Sequence, residues 1–405
     1  MNPLQSRNGH IVNSRGQSIR LRGVNLGNWL MLEGYMLGGI NEPEHRIRAN
    51  LSKAIGRRPA RVFFRDFQDL FIQTADLQRI RGWGFNLVRV PFNYRLLFPS
   101  PEGRLYERDG WKRLDWLIRE CSRIGLYCIL DMHGAPGSQN ADWHSDSPGR
   151  PGLWSSPKDQ EKTAALWEQI SRRYRNEPAL AGYDLLNEPI ASSSAPVLKV
   201  YGRCLEAIRS TGDNHLVFAE GTAWSDCFDG IEALNDPHLV YSPHFYKPLS
   251  FTFHFDSDLT YPGMIEGKRW DKAAIRSELR RFALLGQKTG RPVLIGEFGL
   301  NSRCPSCHAE TRWVHDTVSQ FESLGFHWAY WSYKTLGGAY FPNGLMRLSG
   351  NPEWLRREGV YAGWQNFGRV GPRTRREILA ALNSRQFKED TAVLNELRGP
   401  RGFRR

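Results

Sequence analysis

The sequence predicts a (β/α)8 barrel with extended loops on one face. Eight short apolar runs recur along the 405 residues, and each ends in polar residues or glycine. Segments with the spacing of amphipathic helices lie between most of these runs. Apolar strands that alternate with helices are typical of a parallel sheet covered on both faces, and eight such units close into a barrel.

The elements follow in chain order. Strands are predicted at residues 19–26, 86–92, 127–134, 181–189, 215–221, 239–246, 292–299 and 327–334. Helices are predicted at residues 115–125, 164–175, 197–210, 273–290 and 311–325. Glycines stand where helices would end, at Gly125, Gly212, Gly290 and Gly325.

Three long insertions fall after predicted strands, at residues 35–76, 141–162 and 251–270. Barrel enzymes build their active sites on this face. We expect one catalytic domain over residues 1–372, followed at 373–405 by a closing helix and a basic tail that pack on the barrel or trail from it. A doubly wound open sheet is the alternative fold, but no glycine-rich fingerprint follows the first strand.

Composition narrows the possible partners. The net charge is +13, yet the arginines are dispersed and no nucleic-acid motif accompanies them, so no nucleic-acid partner is expected. No apolar run approaches the ~20 residues of a membrane helix, so no membrane partner is expected. The first twenty residues lack the apolar core of a signal peptide. We expect a monomer, cytoplasmic unless a leader has been removed.

Six cysteines do not make a disulfide scaffold in a chain of this length. Cys121 and Cys128 lie in or beside apolar segments and are expected to be buried. The stretch CPSCH at residues 304–308 matches the c-type haem attachment pattern, but nothing else in the sequence resembles a cytochrome. A loop disulfide or two free thiols at Cys304 and Cys307 is favoured, because a zinc site lacks a second ligand pair.

Polar and aromatic residues lie within or at the end of six of the predicted strands, whose carboxyl ends meet at one rim. Two of these residues are carboxylates, Glu188 and Glu297. The others are Arg89, His133, Asn187, His244, Tyr246 and Trp331. Glycoside hydrolysis requires such a pair of carboxylates, because one protonates the leaving oxygen while the other meets the oxocarbenium-like centre.

The motifs LLNEP, GEFG, PHFY, LVRVPF and DMHG support a more specific prediction. On these motifs the chain resembles glycoside hydrolase family 5, the retaining cellulase and β-glucanase family, over roughly residues 20–334. The runs LRGVNLGNWLMLE and LDMHGAPGSQN most resemble its exo-β-1,3-glucanase branch. The resemblance implies a barrel enzyme that cleaves β-glucosidic bonds in β-glucans or β-gluco-oligosaccharides without a metal or cofactor.

The resemblance also implies a role for each rim residue. Glu188 would be the acid/base, Glu297 the nucleophile, and Glu33 a contact to the terminal sugar. The subsite beside the cleaved bond would be shaped by Arg89, His133, Asn187, His244, Tyr246 and Trp331. The chemistry is consistent with these roles, since a nearby Arg89 and a hydrogen bond from Tyr246 would both favour the ionised Glu297 that attack requires.

Aromatic side chains in or near the insertions could stack on sugar rings. The candidates are Trp29, Trp143, Phe251, Phe253, Tyr261 and Trp270, of which we expect Trp143 and one residue of the sixth loop to contact sugar. Asn28 and Gly34 depart from the exo-glucanase pattern, and so does the sequence after GAPGSQN. The linkage, and exo- or endo-action, therefore stay open.

Three other functions remain possible at this level. A non-catalytic carbohydrate-binding barrel would not need both Glu188 and Glu297. A metal-dependent barrel hydrolase predicts a His-x-His pair after the first strand, where this chain has NLGNWL. A phosphate-binding barrel could use the glycine-rich loop TLGGAYFPNG, but this loop carries no helix-starting phosphate nest.

Overall fold

The computed structural model describes residues 1–98, 106, 109–302, 308–350, 352–355 and 362–399. The predicted disulfide or thiol pair, Cys304 and Cys307, lies outside the described residues, as does the end of the basic tail from residue 400. Cys121 and Cys128 are both buried, as expected. No helix in the described part of the chain combines the length and apolar character needed to cross a bilayer.

Eight parallel strands form the barrel, which confirms the predicted fold. They are β1 (Arg22–Asn25), β2 (Leu87–Asn93), β3 (Tyr127–Gly134), β4 (Leu180–Asp184), β5 (Leu216–Ala219), β6 (Leu239–Tyr241), β7 (Leu294–Phe298) and β8 (His327–Tyr330). They pair in the order β7-β8-β1-β2-β3-β4-β5-β6. Parallel bridges between Tyr241 and Val293, and between His244 and Glu297, join the two edges.

Three strands stop well before their predicted ends, just before residues of interest. β8 ends at Tyr330, so Trp331 follows it. β4 ends at Asp184, so Glu188 lies in the turn beyond it, and β6 ends at Tyr241, so His244 follows it in irregular backbone. Proline explains the end of β6, because Pro243, two residues further on, cannot donate a ladder hydrogen bond. Glu188 also has a left-handed φ of 46°, which removes it from the strand path.

Most helices cover the outside of the barrel, and a few lie in the loops that follow its strands. They are α1 (Glu44–Ile55), α2 (Arg57–Phe71), α3 (Thr74–Gly82), α4 (Gly110–Ile124), α5 (Pro157–Tyr174), α6 (Ser194–Ser210), α7 (Thr222–Ser225), α8 (Leu249–Thr252), α9 (Lys272–Thr289), α10 (His308–Leu324), α11 (Pro372–Ala381) and α12 (Thr391–Arg398). α4, α5, α6, α9 and α10 are the five predicted between strands. Gly125 and Gly290 end α4 and α9 with φ of 84° and 67°, the left-handed conformation that glycine adopts most easily.

The insertions carry local structure above the barrel. The first holds α1 and α2. The second holds 3-10 helices at Trp143–Ser145 and Gly152–Ser155. The third holds α8 and an antiparallel hairpin of Gly263–Ile265 with Lys268–Trp270.

The barrel interior is apolar at one end and polar at the other. At the end where the strands begin, an apolar cluster includes Leu21, Leu87, Ile129, Leu216, Leu294 and Ala329. The N-terminal hairpin, Leu4–Arg7 with His10–Asn13, closes this end, because Leu4 and Ile11 join the cluster. A larger apolar cluster fills the space between strands and helices. The buried polar side chains of the barrel therefore lie toward the carboxyl ends of the strands.

The C-terminal segment packs on the barrel as far as the structure describes it. The strand Phe387–Glu389 pairs with Met346–Leu348, which in turn pairs with Lys334–Thr335 directly after β8. The buried Lys334 Nζ donates hydrogen bonds of 2.5–2.8 Å to the carbonyl oxygens of Phe71 and Leu382 and to Ser384 Oγ. The predicted closing helix is α11, and the domain division at residue 372 stays a prediction.

Candidate active site

A cavity of about 460 Å³ opens at the carboxyl end of the barrel. It brings together most of the residues singled out from the sequence: Glu33, His133, Trp143, Asn187, Glu188, His244, Tyr246, Glu297 and Trp331. Arg89, the remaining predicted site residue, is fully buried directly beneath and contacts Glu297. Their placement follows from the parallel barrel, since each residue lies in or just beyond one of its strands or in a loop on the same face.

Glu297, in β7, is surrounded by hydrogen-bond donors. Arg89 Nη1 donates to its Oε1 at 2.8 Å, and the Tyr246 hydroxyl donates to its Oε2 at 2.8 Å. Burial alone would favour the neutral acid. The positive charges of His244 and Arg89 nevertheless lower the pKa of Glu297 to about 2. Glu297 is therefore a carboxylate at neutral pH.

Glu188 faces Glu297 from the turn after β4. Its Oε1 lies 2.8 Å from His244 Nδ1, and its Oε2 lies 3.6 Å from His144 Nε2. Two polar contacts fix its left-handed backbone, since Glu188 N donates to Glu220 Oε2 at 2.7 Å and Asn140 Nδ2 donates to Glu188 O at 3.0 Å. Left-handed backbone costs a non-glycine residue about 1–2 kcal/mol, so these contacts hold the side chain where it would not otherwise stay.

The two carboxyl groups and one imidazole form a compact cluster. One oxygen of Glu188, one oxygen of Glu297 and one nitrogen of His244 lie within 4.8 Å of one another. Burial lowers the pKa of His244, but the charges of Glu220 and Glu297 outweigh it and raise the pKa well above its ordinary value. The imidazolium is thus a fixed positive charge between the two acids.

Arg89 is the centre of a buried ionic network below the cavity. It contacts Asp184, Glu220 and Glu297 at 2.8 Å and Asp131 at 3.2 Å. Its Nη2 also donates to Asn187 Oδ1 at 2.9 Å. Because all these side chains are buried, the guanidinium neutralises charge that water cannot reach, and it fixes the positions of the carboxylates above it.

Sequence reasoning missed three acids of this network. Glu220 directly follows β5 and accepts a hydrogen bond from the Glu188 backbone N–H, and its Oε1 lies 3.2 Å from His244 Nε2. The signal was present, since the run HLVFAEG ends on a carboxylate as AGYDLLNEP does. Asp131 and Asp184 give a weaker signal, a single acid within an otherwise apolar strand.

The cavity floor on the other side is built from rings and one acid. The Trp331 and His133 rings are stacked at 5.5 Å and 11°, and Trp331 Nε1 donates to the Tyr35 hydroxyl at 2.7 Å. His133 donates from Nδ1 to Asp131 Oδ2 at 2.7 Å, while its Nε2 lies 3.9 Å from Glu33 Oε1. Burial raises the pKa of Glu33 to about 7. A flat ring beside buried polar groups suits a pyranose, whose C–H face stacks while its hydroxyls bond.

Of the six candidate aromatic platforms, two line the cavity: Trp143 and Phe253. The Trp143 ring packs against Phe341 at 5.5 Å, and its Nε1 has no hydrogen-bond partner in the described structure. Trp29 is instead a core residue, because its Nε1 donates to Gln68 O at 2.8 Å and its ring meets Trp116. Phe251, Tyr261 and Trp270 are likewise buried outside the cavity lining.

His144 and Trp224 are among the cavity residues that were not predicted. His144 Nε2 lies 3.6 Å from both Asp142 Oδ2 and Glu188 Oε2. Burial lowers the pKa of His144, but Asp142 and Glu188 raise it to about 9. Trp224 is half exposed, and its Nε1 donates to Asp142 Oδ2 at 2.9 Å.

Two groups among the described residues have the spacing of metal ligands. Glu188, His244 and Glu297 form one of them. The other consists of Asp131, Asp184 and Glu220 and surrounds the Arg89 guanidinium, which already supplies a positive charge there. In the first group, Glu297 accepts hydrogen bonds from Arg89 and Tyr246. The acids of both groups therefore already have cationic or hydrogen-bonding side chains as partners.

The fold and the cavity together are typical of an O-glycosyl hydrolase on a (β/α)8 barrel. The chain belongs to the cellulase family, glycosyl hydrolase family 5, whose profile matches residues 56–337.

Named relatives agree with this membership. A β-xylosidase of Phanerodontia chrysosporium is 34% identical over 244 residues, which are 60% of this chain and 51% of that protein. The chain therefore spans about half the length of that relative. Endoglucanase C of Acetivibrio thermocellus is 26% identical, with 68% of this chain and 88% of that protein aligned. A probable glucan 1,3-β-glucosidase A of Aspergillus fumigatus is 25% identical, with coverages of 78% and 83%.

Solved structures agree on the fold. Endoglucanase Cel5A of Thermotoga maritima superposes with a TM-score of 0.56 and 22% identity, covering 77% of this chain and 89% of that one. At this level of identity the likeness concerns the fold alone.

Proposed function

We propose that this chain is a retaining β-glycosidase that cleaves β-glucosidic bonds in β-glucans or β-gluco-oligosaccharides. The observation that carries the proposal is the spacing of the two acids, since an oxygen of Glu188 and an oxygen of Glu297 lie within 4.8 Å. Retaining enzymes hold their carboxyl groups about 5–5.5 Å apart, whereas inverting enzymes leave about 6.5–9.5 Å for a water molecule.

In the first step Glu297 attacks the anomeric carbon. Arg89 and Tyr246 each hold one of its oxygens, so the carboxylate is ionised and oriented before substrate arrives. Glu188 protonates the glycosidic oxygen as the bond to the leaving group breaks. A glycosyl ester on Glu297 remains, and the leaving group departs as an alcohol.

In the second step Glu188 acts as a base. The negative charge of Glu297 has been consumed in the ester, and Glu188 is a carboxylate beside His244 and His144. It takes a proton from a water molecule, which attacks the anomeric carbon from the side the leaving group vacated. The ester breaks, Glu297 is released as a carboxylate, and two inversions give net retention.

The remaining predicted residues bind the sugar at the cleaved bond. Asn187 is held by Arg89 through its Oδ1, which leaves its Nδ2 beside His133 Nε2 at 3.4 Å. We assign this amide to the sugar 2-hydroxyl, where contacts strengthen in the transition state. Trp331 lies beneath the ring, and Glu33 and His133 bind hydroxyls at the inner wall.

Support for a glucan substrate comes from relatives named as an endoglucanase and a glucan 1,3-β-glucosidase. A second substrate class, β-xylosides, is favoured by the relative at 34% identity, named as a β-xylosidase. Both fit the same two glutamates, because the mechanism acts on the anomeric carbon and not on the sugar's C6 substituent.

The test follows product stereochemistry and product size together. Laminari-, cello- and xylo-oligosaccharides labelled at the reducing end are incubated with enzyme, and the first product is observed by proton NMR before mutarotation. We expect the β-anomer to form first from at least one gluco-oligosaccharide. Formation of the α-anomer first would rule out the retaining mechanism. Cleavage of xylo-oligosaccharides alone would show that the substrate is a β-xyloside and not a β-glucan. The size of the first labelled product distinguishes exo- from endo-action.

A further inference from the structure

Exposed apolar side chains are concentrated at the mouth of the cavity. In the described part of the chain, ten large hydrophobic residues are exposed, and four of them lie on loops at this mouth. They are Trp224, Leu249, Phe255 and Tyr340, with 43–52% of each exposed, and we call them the apolar rim. They come from the loops after β5, β6 and β8. Large apolar groups left in water around one opening mark a binding surface.

The apolar rim is continuous with the cavity. Trp224 and Leu249 line the cavity directly. The Phe255 ring packs 5.6 Å from Phe253 and 5.7 Å from Phe341, and both of these rings line the cavity wall. Tyr340 extends the surface outward at 6.2 Å from Phe255. An apolar path therefore runs from the sugar site to solvent.

Trp224 is held in place by its backbone and by a hydrogen bond. Ala223, Trp224 and Ser225 have φ of 54°, 55° and 61°, three successive left-handed residues without a glycine. Backbone in this region persists only where its surroundings enforce it, and such residues cluster at functional sites. The bond from Trp224 Nε1 to Asp142 Oδ2 fixes the ring, so its exposed face is a built feature.

This part of the rim lies on the side where the leaving group departs. Asp142, which holds Trp224, lies 3.6 Å from His144, and His144 lies 3.6 Å from Glu188. Glu188 is the acid that protonates the leaving oxygen in the proposed mechanism. The charged groups nearby are paired, since Lys247 Nζ lies 3.4 Å from Asp226 Oδ2 and 3.1 Å from Glu278 Oε2. The departing group thus meets chiefly apolar surface.

We propose that the enzyme also hydrolyses β-glucosides of apolar alcohols, with the alkyl part of the leaving group bound on the apolar rim. The proposal rests on the function proposed above. The glycosidic C–O bond breaks, Glu188 supplies the proton that makes the alcohol, and water cleaves the ester on Glu297. The side chains of Leu249 and Phe255 carry no polar atom that could bond a sugar hydroxyl, whereas an alkyl chain needs only apolar area.

The test compares methyl and octyl β-D-glucopyranoside below the micellar concentration of the latter. The two leaving groups, methoxide and octoxide, have nearly the same basicity. A difference in kcat/KM therefore reports binding of the octyl chain. We expect octyl β-glucoside to be favoured at least about tenfold, since one fully buried methylene is worth about a factor of four. Equal kcat/KM for the two substrates would overturn the proposal.

Variants locate the effect on the molecule. Phe255→Ser and Leu249→Ser should each reduce the octyl-to-methyl ratio of kcat/KM about threefold or more, because each removes exposed apolar area. Leu284→Ser is the matched control, as Leu284 is 52% exposed on α9 and contributes nothing to the cavity lining. A ratio that falls equally in the control, or in none of the variants, would contradict the location.

The two proposals fail in different ways. If the enzyme releases sugar from cello- or laminari-oligosaccharides but gains nothing from the octyl chain, the apolar leaving group is wrong and the glycosidase stands. If enzyme that unfolds cooperatively on heating, and is therefore folded, cleaves neither an oligosaccharide nor an activated aryl β-glucoside, the proposed function itself is wrong.

Discussion

Glu188 and Glu297 have the same side chain but lie in contrasting surroundings within the cavity. Glu297 lies in a regular strand, and both of its oxygens accept hydrogen bonds, from Arg89 and Tyr246. Glu188 lies in a left-handed turn beside His144 and His244. Its side chain is 13% exposed against 6% for Glu297.

The difference between the two surroundings shows how position in the barrel determines the protonation behaviour of a carboxyl group. A strand end beside a buried guanidinium gives a group that is ionised at neutral pH, as the proposed attack requires. A turn at the more open side gives a group that can exchange a proton with the leaving alcohol and then with water. The first four predictions below are each aimed at one side of this contrast, and the fifth concerns a third glutamate of the cavity.

The largest effect is expected on the ionised side. Glu297→Gln removes the attacking carboxylate while keeping its shape, and kcat should fall at least about 10⁴-fold on every β-glucoside. Oligosaccharide binding, followed by calorimetry, should be largely kept. Activity within tenfold of the unmodified enzyme would show that another group attacks.

The next effect separates the two glutamates by substrate. Glu188→Ala should lower turnover of unactivated oligosaccharides by about 10²–10⁴-fold, because the leaving oxygen then lacks its proton. Substrates with good leaving groups, such as dinitrophenyl β-glucoside, should be spared in the first step and show a burst of phenol. Equal losses on both kinds of substrate would contradict the acid role.

A smaller effect is expected from the residue that positions the acid. Glu220→Gln weakens the hold on the Glu188 backbone and on His244, so kcat should fall about 10–100-fold with KM changed less than about threefold. Glu206→Gln is the matched control, since Glu206 is exposed on α6. If KM rises in proportion while kcat is kept, Glu220 acts on substrate binding instead.

The pH profile tests the surroundings of Glu297. With its pKa lowered to about 2, the acidic limb of kcat/KM should lie below pH 4. Tyr246→Phe removes one donor to the carboxylate, and a hydrogen bond to a charged group is worth about 1.5–3 kcal/mol, so the limb should move up by about one to two pH units.

The control for this measurement is Tyr127→Phe, because Tyr127 begins β3 at the opposite end of the barrel. An acidic limb that is the same in the two variants would mean that Tyr246 does not support the charge of Glu297.

The smallest effect concerns stability. Burial raises the pKa of Glu33 from 4.5 to about 7, so the folded state binds more protons than the unfolded chain within this window. The stability that Glu33 contributes is complete below pH 4.5 and is lost as pH rises through about 7. We therefore compare the free energy of unfolding of Glu33→Gln with that of the unmodified protein. The difference between the two should shift in favour of the variant by about 1–3 kcal/mol from pH 4.5 to pH 8. Identical pH dependence in urea titrations would contradict the buried charge.

Much of this site was predictable because the barrel makes one rim out of many strand ends. Apolar runs that stop at Glu188, Glu297 and His133 mark residues delivered to the same face. Glu220 ends its strand in the same way and could have been included. His144 and Trp224 could not, because a loop places the first and three left-handed residues without a glycine place the second.

Trp29 shows the opposite error. An aromatic residue just after β1 resembles a platform in the sequence, yet its ring turns away from the cavity and bonds Gln68 in α2. Which way a loop side chain points depends on packing against the inserted helices. Periodicity along the chain contains no information about that contact.

The most direct test is to trap the covalent intermediate. The enzyme is incubated with dinitrophenyl 2-deoxy-2-fluoro-β-glucoside and is then digested for mass spectrometry. The fluorine slows both steps, while the good leaving group keeps the first step fast enough for the intermediate to accumulate. We predict one fluoroglucosyl group per chain, attached to the peptide containing GEFG at Glu297 and lost on reactivation with an oligosaccharide acceptor. A label on Glu188 or another residue, or inactivation without a label, would contradict the assignment of Glu297 as the nucleophile.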